Sequence, residues 1–242
     1  MDSIVAITEK TSVDEELSRD RIAEVLGQAG GKPTAGSVNY NLSKLLNSGT
    51  IIRVGRNAYR RTEGKKPYSF KHSEEACAIA DEISKAHPDL DFRVFELIQL
   101  NEFVNHQIAH NMIFVFSENE TEEYVFDTLW ENHKGNVLLK PKADDMFRYR
   151  SDDMIIVGRL LSESPKSKGV LWDTRIEKIL VEIVADRFVS KAVYNGEVSN
   201  IYAEVFAKYV VDMSTLKRYA SRKGAWDRIQ AVMNEAGIDW RI

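Results

Sequence analysis

Residues 32–61 read KPTAGSVNYNLSKLLNSG followed by TIIRVGRNAYRR. The apolar residues of the first part recur at the spacing of one helical face: Val38, Leu42, Leu45 and Leu46. This spacing predicts a helix over 34–48, which residues 47–49 should end because Asn, Ser and Gly tolerate the backbone of a helix terminus. The second part is short and β-branched, and it predicts a two-stranded hairpin with its turn within 55–57.

Positive charge is concentrated in the same part of the chain. Between Lys32 and Lys71 there are nine lysines and arginines and a single acid, Glu63, which gives a net charge of +8 in a chain whose formal total is −4. Residues 1–72 sum to +4 and residues 73–242 to −8. A helix and a hairpin that carry concentrated positive charge are typical of a winged helix that contacts DNA.

The candidate DNA contacts lie on this helix and hairpin. The helix would enter the major groove, where Asn39 and Asn41 would read base edges and Lys44 would hold a phosphate. The hairpin arginines would contact the flanking backbone and contribute affinity more than specificity. The full candidate set comprises Lys32, Thr34, Ser37, Asn39, Tyr40, Asn41, Lys44, Arg53, Arg56, Asn57, Arg60 and Arg61. Two alternatives stay open: solvated charge on a structural domain, and a winged helix that contacts only protein.

Composition sets the class of protein. The chain has 242 residues, 43% of them hydrophobic, so a sizeable core is expected. The single cysteine, Cys77, excludes an intramolecular disulfide and is expected to be a small buried residue. We find neither an apolar run long enough for a membrane span nor the pattern of a signal peptide, so a cytoplasmic protein is expected.

The pattern of elements predicts an α/β fold, α+β overall. Before the basic helix, acids at 14–16 precede a helix that should end at Gly27, Gly30 or Gly31. We predict a winged-helix domain at 1–62, a linker at 63–72, an α/β domain at 73–163 and a helical region at 164–242 packed on that domain. Within the α/β domain, a short helix is expected over 100–110 and a helical piece after Pro141. The helical region should begin with one long helix over 174–193.

A search for catalytic chemistry gives only weak candidates. Glu96, Glu102, His106 and His110 suggest a metal site, but the segment HQIAH lacks the glutamate of the zinc motif. The acid pairs at 144–145 and 152–153 suggest magnesium, yet neither stands in a nucleotidyltransferase pattern. Residues 136–140 hold a lysine near a nuclease position without its glutamate. We therefore predict no catalytic residue, no metal and no cofactor, and polar helix faces, caps and solvent-exposed turns explain these residues.

Two segments resemble a known family. LLNSGTIIRVGRNAY at 45–59 and, more loosely, RIEKILVEIVAD at 175–186 are similar to segments of the AbiEi family of abortive-infection antitoxins. The resemblance implies two activities, which composition and spacing do not. The winged helix would repress its own operon by binding promoter repeats in double-stranded DNA. The C-terminal domain would neutralise a nucleotidyltransferase-like toxin, usually without a stable complex.

Two other functions stay open beside this one. The acidic α/β region allows a metal-dependent nuclease or nucleotidyltransferase-like enzyme that a winged helix delivers to DNA. An adaptor with a protein partner only is the third hypothesis. None of the three involves a membrane.

Overall fold

The computed structural model describes residues 2–13, 15–30, 33–62, 64–142, 154–167 and 169–240. The helices within these ranges are α1 (Ser3–Lys10), α2 (Arg19–Gly30), α3 (Ala35–Asn47), α4 (Glu74–Ala86), α5 (Glu122–Asn132), α6 (Ile176–Ala185), α7 (Val189–Ala192), α8 (Val198–Lys208), α9 (Met213–Arg222) and α10 (Trp226–Glu235). The strands are β1 (Ile51–Gly55), β2 (Ala58–Arg61), β3 (Phe92–Glu96), β4 (Met112–Ser117), β5 (Val137–Leu139) and β6 (Met154–Arg159). Short 3-10 helices lie at Leu97–Glu102 and Asn195–Glu197.

Residues 2–62 form a small helical unit with a hairpin, here called the head. Its three helices and the hairpin enclose one apolar cluster that includes Ile7, Ile22, Leu45 and Ile51, all fully buried. The hairpin strands β1 and β2 pair antiparallel, and the chain turns at Arg56 and Asn57. The predicted helix and hairpin of 34–61 are therefore present, in the predicted order.

The start of α2 differs from the prediction. A helix was expected directly after the acids at 14–16, but Leu17 instead exchanges two backbone hydrogen bonds with Tyr59 of β2, at 2.7 and 2.9 Å. Helix α2 therefore begins at Arg19. The Ser18 hydroxyl, just before it, accepts a hydrogen bond from the Arg21 amide at 3.1 Å. Leu17 thus adds a bridge to the hairpin, and the tertiary pairing outweighs the local helix signal.

The body, residues 73–240, is built on a four-stranded sheet with the order β3-β4-β6-β5. Strands β4, β5 and β6 run parallel, and β3 is antiparallel to β4 at one edge. Helices α4 and α5 cover one face, where Ile79 and Leu129 pack on Val115. The C-terminal helices cover the other face, where Phe114 and Phe116 point. A mixed α/β fold with a helical C-terminal portion is confirmed.

Helix α6 lies at the centre of the C-terminal layer and is buried on every side. A charged network in this helix joins Lys178 to Glu182, with Nζ–Oε1 at 2.5 Å and both side chains at most 1% exposed. The Tyr219 hydroxyl donates to the same oxygen at 2.5 Å, and Lys223 reaches the other oxygen at 2.6 Å. The Lys178 ammonium also lies 3.7 Å from the centre of the Phe116 ring. Each buried charge in this network therefore has a partner, as burial requires.

Two further predictions about the body are wrong in detail. Residues 100–110 form only the end of a 3-10 helix and then irregular chain, because the Asn101 side chain bonds both the N–H and the C=O of Ile108, at 2.7 and 3.1 Å. Cys77 is exposed rather than buried, since α4 turns Ala76, Ile79 and Ile83 toward the sheet instead. The helical piece expected after Pro141 falls mostly on 143–153, outside the described residues.

The segment predicted as a linker lies along the body. The Lys66 amide donates to Lys208 C=O at 3.3 Å, and Val210 donates to Lys66 C=O at 3.0 Å. Tyr68 contacts the rings of Phe103 and Tyr209. Gly49, at the end of α3, comes close to the same region, because a Cβ there would lie 3.0 Å from Val210 Cγ2. Head and body therefore meet along this segment.

Candidate nucleic-acid interface

The N-terminus of α3 is exposed to solvent. Thr34 has an extended backbone, and its hydroxyl accepts a hydrogen bond from the Ser37 amide at 3.2 Å. Thr34 is therefore the N-cap of the helix, a position that threonine often occupies. Ala35 and Gly36 follow, both exposed. A Cβ on Gly36 would meet nothing within 4 Å. The first turn therefore presents backbone amides to solvent with little side-chain cover, a geometry suited to a phosphate.

The next turn of α3 presents polar side chains. Asn39 is exposed, and Tyr40 is 72% exposed, while Val38 and Leu45 face the core of the head. Asn41 lies partly buried, and its side-chain amide donates to Ser37 C=O at 2.9 Å. Of the two asparagines expected to read bases, Asn39 is thus the one whose side chain makes no hydrogen bond within the described part of the chain.

The basic candidate on α3 has a protein partner. Lys44 Nζ lies 2.8 Å from Asp2 Oδ1, and Asp2 also caps the N-terminus of α1 through the Ile4 amide. This exposed ion pair is weak, so a phosphate could replace the carboxylate. Lys32, the other lysine of this set, lies outside the described residues.

The polar residues of the hairpin turn differ in whether they contact the rest of the protein. Arg56 at the tip is exposed and takes part in no ion pair with any described residue. Asn57 takes a positive φ of 59°, and its Oδ1 accepts the Arg19 amide at 3.1 Å. Asn57 therefore ties the turn to the start of α2, a role that its spacing in the sequence did not reveal.

The three remaining arginines of the hairpin differ in their contacts and their exposure. Arg61 Nη1 donates to the C=O groups of Thr8 and Thr11, at the end of α1. Arg60 is partly buried, and its Nε has no hydrogen-bond partner in the described chain. Arg53 is exposed, stacks 5.8 Å from the Tyr59 ring centre, and faces the cleft between head and body. The part of the head that is exposed and able to contact a ligand thus comprises the first two turns of α3 and Arg56.

No motif in the sequence singled out His72, which forms a charged cluster at the end of the segment predicted as a linker. Its Nδ1 lies 2.8 Å from Glu96 Oε2 and its Nε2 lies 3.0 Å from Asp173 Oδ1. Burial works against the charged ring, but the bonds to the two carboxylates outweigh burial and raise the pKa of His72 to about 9. The cluster holds the end of the segment predicted as a linker against β3 and against the residues before α6.

The expected metal candidates do not gather at one place. Glu96 belongs to the His72 cluster, Glu102 accepts the Tyr209 hydroxyl at 2.7 Å, and His106 contacts Glu197 at 3.1 Å. No group of three His, Cys, Asp or Glu side chains suited to a metal occurs in the part of the chain that the structure describes. The acids at 144–145 and 152–153 lie outside that part. No described helix is long and apolar enough to cross a membrane.

These features define a mixed α/β protein whose three-helix head carries a β-hairpin and is held against a larger three-layer body. The chain belongs to the DUF6577 family, a family of unknown function, whose model matches residues 37–239. That match includes most of α3, the hairpin and nearly all of the body. A comparison with curated proteins finds no match.

Among solved structures, the chain is similar to the crystal structure of the RV2827C protein from Mycobacterium tuberculosis. The two share 13% sequence identity over 98% of this chain and 76% of that chain, with a TM-score of 0.38.

Proposed function

We propose that this protein is a DNA-binding transcriptional repressor that acts in the cytoplasm, with the head as a winged helix that contacts promoter repeats. The observation that carries the proposal is the open N-terminal half of α3. Its exposed amides at Ala35 and Gly36, with Asn39 and Tyr40 on the next turn, lie within the segment of net charge +8. Amides, cations and the Tyr hydroxyl bind phosphate, while Asn side chains contact bases.

The experiment is a binding titration of the full chain with the duplex that lies upstream of its own gene. Tyr40→Ala should weaken binding by about tenfold, which corresponds to about 1.4 kcal/mol. Tyr194→Ala is the matched control, because Tyr194 is 78% exposed and lies on the body. Equal losses from both substitutions would contradict a DNA contact by α3.

The second half of the proposal rests on the resemblance to the AbiEi antitoxins. The C-terminal part of the chain, residues 73–242 with a net charge of −8, would neutralise a nucleotidyltransferase-like toxin encoded beside it. Co-expression of the toxin with the full chain should restore growth. Restoration should persist in Tyr40→Ala, because that change affects the head alone. A toxin that stays active in the presence of the folded wild-type chain would refute this half and leave the DNA proposal standing.

A further inference from the structure

Asn39 lies on the exposed face of α3 among small residues. Residues three and four positions apart are neighbours on the surface of a helix. The residues at these positions around Asn39 are Ala35, Gly36, Leu42 and Ser43. Leu42 is partly buried and packs on the core of the head, whereas the other three are exposed. The exposed neighbours of Asn39 at these positions therefore carry no side chain longer than that of serine.

These small neighbours allow a close approach to DNA. The major groove of B-DNA is about 12 Å wide and about 8.5 Å deep, and it admits an α-helix. The side chain of asparagine is short, so its carboxamide reaches a base edge only if the helix itself lies deep in the groove. A long side chain beside Asn39 would meet the DNA first and hold the helix away. With Gly36 on one side and Ser43 on the other, α3 can approach closely enough for Asn39 to reach a base.

The carboxamide of Asn39 is available as both a donor and an acceptor. It is exposed and makes no hydrogen bond within the part of the chain that the structure describes. Asn41 is partly buried, and its side-chain amide is held along its own helix by Ser37 C=O at 2.9 Å. The Ser43 hydroxyl can bond to more than one base, and the Tyr40 hydroxyl binds phosphate. Of these side chains, that of Asn39 is therefore the one able to distinguish one base from another.

We propose that Asn39 reads an adenine in each promoter repeat. Its Oδ1 would accept a hydrogen bond from the N6 amino group of adenine, and its Nδ2 would donate to N7. In the major groove guanine presents two acceptors, cytosine one donor, and thymine an acceptor and a methyl group, so only adenine matches both atoms. Each repeat would therefore contain an A·T pair at the position that faces Asn39. This inference rests on the proposed function, because it requires the head to bind DNA.

The test is selection of binding sites by the full chain from duplexes of randomised sequence, followed by sequencing of the bound fraction. We expect the wild type to enrich a sequence in which Asn39→Ala loses the preference for adenine at one position and keeps the preferences elsewhere. In the selected duplex, replacement of that A·T pair by G·C should weaken wild-type binding by about tenfold. The same replacement should weaken binding of Asn39→Ala by less than about twofold, because the contact is already absent.

Three further variants of α3 serve as controls. Asn47→Ala is matched in residue type, because Asn47 is exposed at the C-terminal end of the helix, and it should keep the selected sequence. Ser43→Ala should also keep it, whereas Ser43→Leu should weaken the preference for adenine, because leucine adds a longer side chain beside Asn39. All these positions are exposed, so each variant should fold, and thermal unfolding checks this.

The possible outcomes separate the adenine contact from DNA binding itself. A variant Asn39→Ala that keeps every base preference, or that weakens binding to all duplexes by the same factor, would overturn the adenine contact and leave DNA binding standing. A wild type that binds all duplexes equally well would do the same. Wild-type protein that binds no duplex would refute the proposed function, and the adenine contact with it.

Discussion

Two glycines of the head differ in what surrounds them. Gly36 sits in the first turn of α3 with open space where a Cβ would stand. Gly49 follows α3 at a φ of 71°, with Val210 Cγ2 and Pro67 Cδ at 3.0 and 3.1 Å from that position. The first glycine leaves the helix end uncovered, and the second allows the head to approach the body.

Replacing each of these two glycines by alanine should change the stability of the protein in opposite directions. Gly36→Ala should stabilise the protein by about 0.5–1 kcal/mol, because alanine favours the helix and meets no obstacle. Gly49→Ala should destabilise it by about 1–2 kcal/mol or more, because alanine disfavours positive φ and would contact Val210. Urea unfolding of the two variants measures both free energies. A stable Gly49→Ala variant would mean that head and body do not meet as described.

His72 makes stability depend on pH. Its pKa is raised from 6.5 to about 9 in the folded chain, so folding favours the protonated ring. The stabilisation is fully present below about pH 6.5 and is lost as pH rises through about 9. His72→Gln should therefore lower the free energy of unfolding at pH 6 more than at pH 9.5. Urea unfolding at these two pH values measures the difference, and an equal loss at both would contradict a charged His72.

At the scale of elements, α6 combines burial with charge. Glu182 accepts hydrogen bonds from Lys178, Lys223 and Tyr219. Burial opposes the carboxylate, but the two lysines outweigh burial and lower the pKa of Glu182 to about 2. The network lies between α6 and α9 and holds the two helices in register.

Loss of this acceptor should be costly. Glu182→Ala leaves the Lys178 ammonium buried without its carboxylate, so a loss of about 3–5 kcal/mol is expected. The double variant Lys178→Met, Glu182→Leu should lose less than Glu182→Ala alone, because it leaves no unpaired buried charge in α6. Chemical unfolding at pH 7 compares the variants. A double variant less stable than the single one would show that the charges themselves stabilise the fold.

The element boundaries show what sequence patterns reveal and what they miss. Apolar spacing predicted α3 and the hairpin, because each of these depends on the alternation or the run of its own apolar residues. The helix expected over 174–193 is interrupted because Asp186 Oδ1 accepts the amides of Phe188 and Val189, at 2.8 and 3.1 Å, and starts α7. The bonds of Asn57 to Arg19 and of Arg61 to α1 join distant residues, so spacing could not indicate them.

At the scale of the whole molecule, positive charge lies on the head and negative charge on the body. Salt dependence reports how much of any DNA binding comes from the head, since each phosphate contact releases about 0.9 counterion. Arg56 is the cation of the hairpin tip and is expected to make one such contact. Its loss should change the slope of binding against salt without changing the fold.

A negative charge introduced at the N-terminus of α3 is a sharper test of the same interface. Gly36→Glu places an acid in the first turn of α3, where the helix dipole favours it, so the fold should be retained. The same carboxylate would repel a phosphate at the exposed amides. We therefore expect a folded protein that no longer binds DNA.

The most direct measurement is fluorescence anisotropy of the upstream duplex titrated with protein between about 50 and 200 mM salt. We expect log K to fall linearly with log salt for the wild type. We also expect a slope smaller by about 0.9 for Arg56→Ala and loss of binding for Gly36→Glu. Wild-type protein that shows no salt-dependent binding, or a folded Gly36→Glu variant that binds as the wild type does, would contradict the claim that the head binds DNA.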